Sequence, residues 1–204
     1  MRPTACILVL TAAAGALHSA SQRAATPAAY EDVRVYIAQT SPMSNTVWNA
    51  GEATASELFS KIGVRLQFTT FWRAKPSQRL VQLWILDRAP KNMKAEVLGA
   101  AFSSRQDDHP TVFIFYDRVI RFANGQCSSN HEIGVVLGYV IAHELGHALG
   151  HVDHSAEGVM KTNWTELDVK NMLRGQFAFN SVNSLRLRGS QATRMSLNAH
   201  PGVQ

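Results

Sequence analysis

The run "EIGVVLGYVIAHELGHALG", Glu132 to Gly150, constrains the fold more than any other stretch of the chain. It is apolar for too long to be a strand and too interrupted by polar side chains to be a membrane span. It therefore reads as one long helix, Glu132 to Leu149, buried in the core of a folded protein. Its three polar interruptions near the end, His143, Glu144 and His147, are the anomaly. Buried without a partner, two histidines and a glutamate would cost several kcal/mol.

A partner follows from helix geometry. Positions i and i+4 lie roughly 40° apart in projection and about 6 Å apart along the axis, so His143 and His147 point to one side and one cation can bridge them. Zinc accepts imidazole nitrogen at about 2.0 Å, and this pair supplies two of the positions of a tetrahedral site. Glu144, beside the first histidine, can reach a water in the open position, whose pKa the metal lowers to about 7, and take its proton during attack on a carbonyl. That is peptide-bond hydrolysis in outline. H-E-x-x-H on its own arises by chance in many proteins.

The flanking residues add context. Gly150 is expected to end the helix and reverse the chain through a positive φ. Beyond it stand His151, Asp153 and His154 as candidates for a third ligand. Were the helix to continue, His151 would lie about 12 Å along the axis from His143, too far to share a tetrahedral ion. Asp153 and His154 remain.

"HELGHALGHVD" resembles the extended H-E-x-x-H-x-x-G-x-x-H/D pattern of the metzincin zinc peptidases, which a methionine turn follows. On that spacing, as in snapalysin-like members, Asp153 would be the third ligand. "HSAEGVMKTNW" is similar instead to a segment of uncharacterised bacterial predicted zinc peptidases, in which the histidine before serine takes that role. Imidazole is also the usual zinc partner beside two histidines, so His154 is favoured and Asp153 is the alternative. The resemblance implies that Met160 forms an apolar floor beneath the metal. It also implies an α+β, metzincin-like zincin fold of the matrixin or snapalysin type: a twisted mixed sheet packed on two long helices, with a small C-terminal helical subdomain. The expected activity is that of a zinc-dependent endopeptidase with Zn2+ as cofactor and Glu144 as general base. No tyrosine follows Met160, a departure from the astacin and serralysin pattern that leaves the oxyanion to zinc and other donors. Two rival readings stand beside this one. A gluzincin-type site would take Glu166 from a later helix as third ligand, and a non-catalytic secreted module would bind zinc without turnover.

Elsewhere the patterning predicts a first strand at Val33–Ala38 and a helix capped by Ser44 or Asn45 and ended by Gly63. Strands are expected at Val64–Trp72 and Leu80–Leu86, with a short edge strand in "VLGAAF" and the strongest strand at Thr111–Ile120. By the resemblance, the edge strand would pair with an extended substrate. A short helix begins after Thr165, with Asp168 completing a variant capping box, and Gly175 closes it.

The 204 residues suit a single domain, and 46% hydrophobic against 17% charged residues argues against disorder over most of the length. Residues 1–21 read as a signal peptide: Arg2, an apolar run too short to span a bilayer, then small residues. Residues 22–32 form a linker, 33–175 the peptidase domain, and 176–204 a loosely ordered basic tail. The expected location is secreted, periplasmic or cell envelope. With Cys6 in the signal, Cys127 has no partner for an internal disulfide and reads as a buried small side chain. The net charge of +5 is modest, and the basic tail lacks aromatic interleaving, so no nucleic-acid partner is expected. The expectation is a monomer acting on peptide or protein, with no stable membrane span in the mature chain.

Overall fold

The computed structural model describes residues 31–39, 41–71, 79–102 and 109–188. The expected signal peptide and most of the expected linker lie outside these residues, as does the expected tail beyond 188.

The chain forms β1 (Glu31–Gln39), α1 (Asn45–Ser60), β2 (Val64–Thr69), β3 (Arg79–Leu86), β4 (Gly99–Phe102), β5 (Thr111–Phe115), α2 (Tyr116–Ala123), α3 (Asn130–Gly150) and α4 (Glu166–Leu173). The strands make one mixed sheet in the order β2-β1-β3-β5-β4. Strands β1, β2, β3 and β5 run parallel, and β4 alone runs antiparallel, at the edge beside β5. A mixed sheet with two long helices, α1 and α3, is what the resemblance implied.

Local chemistry explains the elements. Ser44 caps α1 by accepting the Val47 N–H at 3.3 Å. Val47, Ala55, Leu58 and Phe59 are buried in one core cluster with Val33, Val35, Leu83, Ile85 and Ile114. Helix α1 lies along α3, and the approach is close because Gly134 and Gly138 leave notches one turn apart. A Cβ on Gly138 would sit 2.5 Å from the Thr54 Cβ and 2.6 Å from the Gly51 carbonyl oxygen. By length and hydropathy α3 could cross a membrane, but 72% of its most apolar window is buried within the protein. It is the core helix of the fold.

Four expectations are corrected, three of them in element boundaries and order. The strand foreseen at Thr111–Ile120 stops at Phe115, and α2 begins at Tyr116. The period changes there from two to four: Phe115, Val119 and Ala123 are buried in succession, and Asp117 and Arg121 pair at i,i+4 across 2.7 Å. Buried Arg118 donates to the carbonyls of Met93, Lys94 and Val97, which ties the loop before β4 to α2. The strand expected to reach Trp72 ends at Thr69, with Phe71 already exposed. Finally, residues 176–188 are not loose. Phe177, Phe179 and Leu187 are buried, and residues 181–188 are helical, with the Asn180 side chain capping the Asn183 N–H at 2.8 Å.

Helix α3 does end at Gly150, though not as foreseen. The left-handed residue is His151 (φ 46, ψ 40), the one non-glycine with positive φ among the described residues. Gly150 is tightly packed: a Cβ there would meet Leu187 Cδ2 and Val152 Cγ2, both at 2.7 Å. Arg79 of β3 donates to the Leu149 carbonyl, satisfying one of the orphan acceptors at this helix end.

Candidate metal centre

The last two turns of α3 carry His143 and Glu144 into the interior, at 9% and 7% exposure. His147, one turn on, is half-buried. Each histidine is oriented by a backbone carbonyl from the loop that follows: His143 Nδ1 lies 2.7 Å from the Val159 oxygen, and His147 Nδ1 lies 2.5 Å from the Val152 oxygen. A carbonyl only accepts, so both Nδ1 atoms carry the proton. Burial pushes the His143 pKa down to about 4, and the neighbouring histidines add to this against the Val159 carbonyl. Burial lowers that of His147 too. Both rings are therefore neutral at pH 7, with the lone pair on Nε2.

Those two Nε2 atoms face each other across 3.1 Å. Neither can donate, so the contact is lone pair against lone pair. A shared cation resolves it: two nitrogens about 2.0–2.1 Å from a tetrahedral zinc are about 3.3 Å apart.

His154 completes the group. The ligand atoms of His143, His147 and His154 all lie within 4.8 Å of one another, a three-histidine set able to hold a metal ion. The ring of His154 lies 5.3 Å from that of His143 and 4.7 Å from that of His147. The other candidates sit elsewhere. The Asp153 side chain is 87% exposed, and its carboxylate pairs with Arg186 at 3.1 Å. His151 is exposed at the C-cap of α3, and Glu166 is exposed in the first turn of α4. Neither joins the group.

Met160 is fully buried, its Sδ 2.6 Å from where a Cβ on Gly146 would stand. The glycine inside "HELGH" thus makes room for the methionine, a link between two motif positions that spacing alone did not disclose. Trp164 stands edge-on to His143 at 5.6 Å and reaches Phe122 and Phe177.

Burial raises the Glu144 pKa to about 8. Edge strand β4 passes directly against it: a Cβ on Gly99 would fall 2.8 Å from Glu144 Cγ and 3.0 Å from Oε1. Outside this contact opens a cleft of about 1010 Å³, bounded by β4, α2 and residues 161–164, with His143, Glu144, His147 and His154 on its wall. Cys127 lies apart and partly buried; burial, with Glu132 beside it, pushes its thiol pKa up, the opposite of an activated nucleophile.

The class defined here is a mixed-sheet protein with a three-histidine group able to hold a metal beside a buried glutamate. No protein-family profile matches the chain, and no curated protein matches it. Among solved structures, archaemetzincin from Methanopyrus kandleri aligns over 82% of this chain and 99% of its own, at a TM-score of 0.47 and 16% identity. A likeness so distant assigns no role to any residue.

Proposed function

We propose that this chain is a secreted zinc-dependent endopeptidase in which His143, His147 and His154 hold the metal and Glu144 is the general base. The observation that carries the reading is the pair of facing Nε2 lone pairs 3.1 Å apart, an arrangement of neutral imidazoles that a cation stabilises. Three imidazoles and an open fourth position suit a catalytic zinc rather than a closed structural one. When bound, zinc supplies Lewis acidity toward a water and a carbonyl oxygen.

The protein's own residues do the rest. Burial raises Glu144 to about 8, and a cation held by the neighbouring histidines would favour its carboxylate form. In that form it takes a proton from the attacking water and returns it to the leaving amine. Among the described residues β4 pairs with β5 alone, so its other edge can pair with an extended peptide laid along the cleft. The Val159 and Val152 carbonyls hold both imidazoles in the ligating tautomer. Met160 floors them. The apolar run and small residues of 1–21 support export to the envelope or beyond, and a monomer acting on peptide or protein is the simplest form.

The test is casein cleavage by zinc-loaded protein beside Glu144→Ala carrying equal zinc. A general base contributes about 10²–10⁴-fold, so the variant should lose at least 10²-fold. Zinc bound with no cleavage by the parent protein would identify a binding module instead.

A further inference from the structure

His154 differs from the other two histidines in having no helix of its own. It sits in the irregular segment between α3 and α4 and is exposed. The residues on both sides of it are nevertheless held, and by one element. Asn183, 4% exposed, donates from Nδ2 to Ser155 Oγ at 3.2 Å, while that hydroxyl donates to the Glu157 carbonyl at 2.7 Å. Arg186 pairs with Asp153. Leu187, fully buried, reaches the space beside Gly150 where the segment begins. Positions 183, 186 and 187 share one helical face. That face meets the loop at 150, 153 and 155, bracketing the ligand. A second line of bonds runs beneath: Val159 N–H donates to the Ala178 carbonyl, and Tyr139 Oη donates to the Phe177 carbonyl.

We propose that the helical face Asn183–Arg186–Leu187 sets the position of His154, so that residues 177–188 govern metal affinity through the third ligand. This rests on the ligand set proposed above. The three contacts do not contribute alike. The Asp153–Arg186 pair is solvent-exposed on both sides and weak. Asn183 and Leu187 are buried, so they are the positioning residues. Groups that orient metal ligands typically change affinity by about 10–100-fold when removed.

The experiment measures zinc affinity by competition with a chromophoric chelator for four proteins: the parent chain, Asn183→Ala, His154→Ala and the double variant. Thermal unfolding of each apo protein accompanies the titration. The expected result is roughly 10-fold weaker binding for Asn183→Ala in the parent background and no further loss in the His154→Ala background. Equal weakening in both backgrounds would show that Asn183 acts on the whole fold and would overturn the inference. So would unchanged affinity in the parent background. Ser155→Ala removes the same bond from the loop side and should reproduce the loss, which keeps the test decisive if Asn183→Ala does not fold. Unchanged zinc affinity in His154→Ala alone would sink the ligand set itself, a separate result visible in the same titration.

Discussion

Gly99→Ala tests how tightly strand and glutamate are matched. The new methyl would lie 2.8 Å from the Phe113 carbonyl oxygen and 2.8 Å from Glu144 Cγ, whereas ordinary contact begins at 3.4 Å. About 0.6 Å must therefore be found on each side. The Phe113 oxygen belongs to β5, hydrogen-bonded on both edges to β3 and β4, and yields little. Glu144 is the softer neighbour and gives way. Overpacking costs about 1–3 kcal/mol, offset by the roughly 0.5–1 kcal/mol gained when a strand glycine becomes alanine, so the net destabilisation is about 0–2.5 kcal/mol. The catalytic loss should be larger. A misplacement of about 1 Å can lower turnover about 10²-fold, so a shift of this size should lower kcat by roughly 10-fold or more. The assay is kcat and KM on a fluorogenic peptide at matched zinc occupancy, with a thermal midpoint for each protein. Turnover within about threefold of the parent, in a variant with unchanged midpoint, would refute the proposed packing of β4 on Glu144.

Further expectations concern the frame. Gly138→Ala should destabilise by about 1–3 kcal/mol despite the better helix propensity of alanine, because the methyl meets Thr54 Cβ and the Gly51 carbonyl at 2.5–2.6 Å; urea unfolding reads this directly. Tyr139→Phe should cost about 1 kcal/mol by leaving the Phe177 carbonyl without its donor. Burial, with Glu57 nearby, raises the Tyr139 pKa from 10.0 to about 12, so its contribution is complete below pH 10 and is lost as pH rises through 12; Tyr139→Phe should flatten that alkaline limb. Asp168 behaves oppositely. Burial alone would raise its pKa, but hydrogen bonds from Lys161 and Thr165 outweigh it and hold it below 3.8. Its stabilisation is present above that value and falls away as acid titrates the folded carboxyl, and an acid unfolding series of Asp168→Asn should show a shallower decline.

The parts legible in the sequence were those that local spacing decides. His143 and His147 four apart on an apolar helix, Ser44 at the start of α1 and the Thr165–Asp168 capping box are statements about neighbours in the chain, and each stands as read. What escaped was settled at long range. "TVFIFYDRVI" has strand composition throughout, and only the tertiary demand to bury Phe115, Val119 and Ala123, with Arg118 seated on three loop carbonyls, turns its second half into α2. The stretch after Gln176 lacks periodicity because its anchors, Phe177, Phe179 and Leu187, each fill a separate gap in the core. Asn180, three residues before Asn183 and at the head of "SVNSLRLR", was the local signal that could have marked that helix. The same distant segment bears on the third ligand. Leu187 packs against the space beside Gly150, the left-handed turn falls at His151, and the exposed Asp153 carboxylate pairs with Arg186.

Zinc K-edge X-ray absorption on stoichiometrically loaded protein tests the metal centre most directly. The expected result is three imidazole nitrogens at about 2.0 Å plus one light oxygen scatterer, falling to two imidazoles in His154→Ala and unchanged in Asp153→Ala. Two imidazoles with a carboxylate in the parent protein, altered by Asp153→Ala and indifferent to His154→Ala, would contradict it.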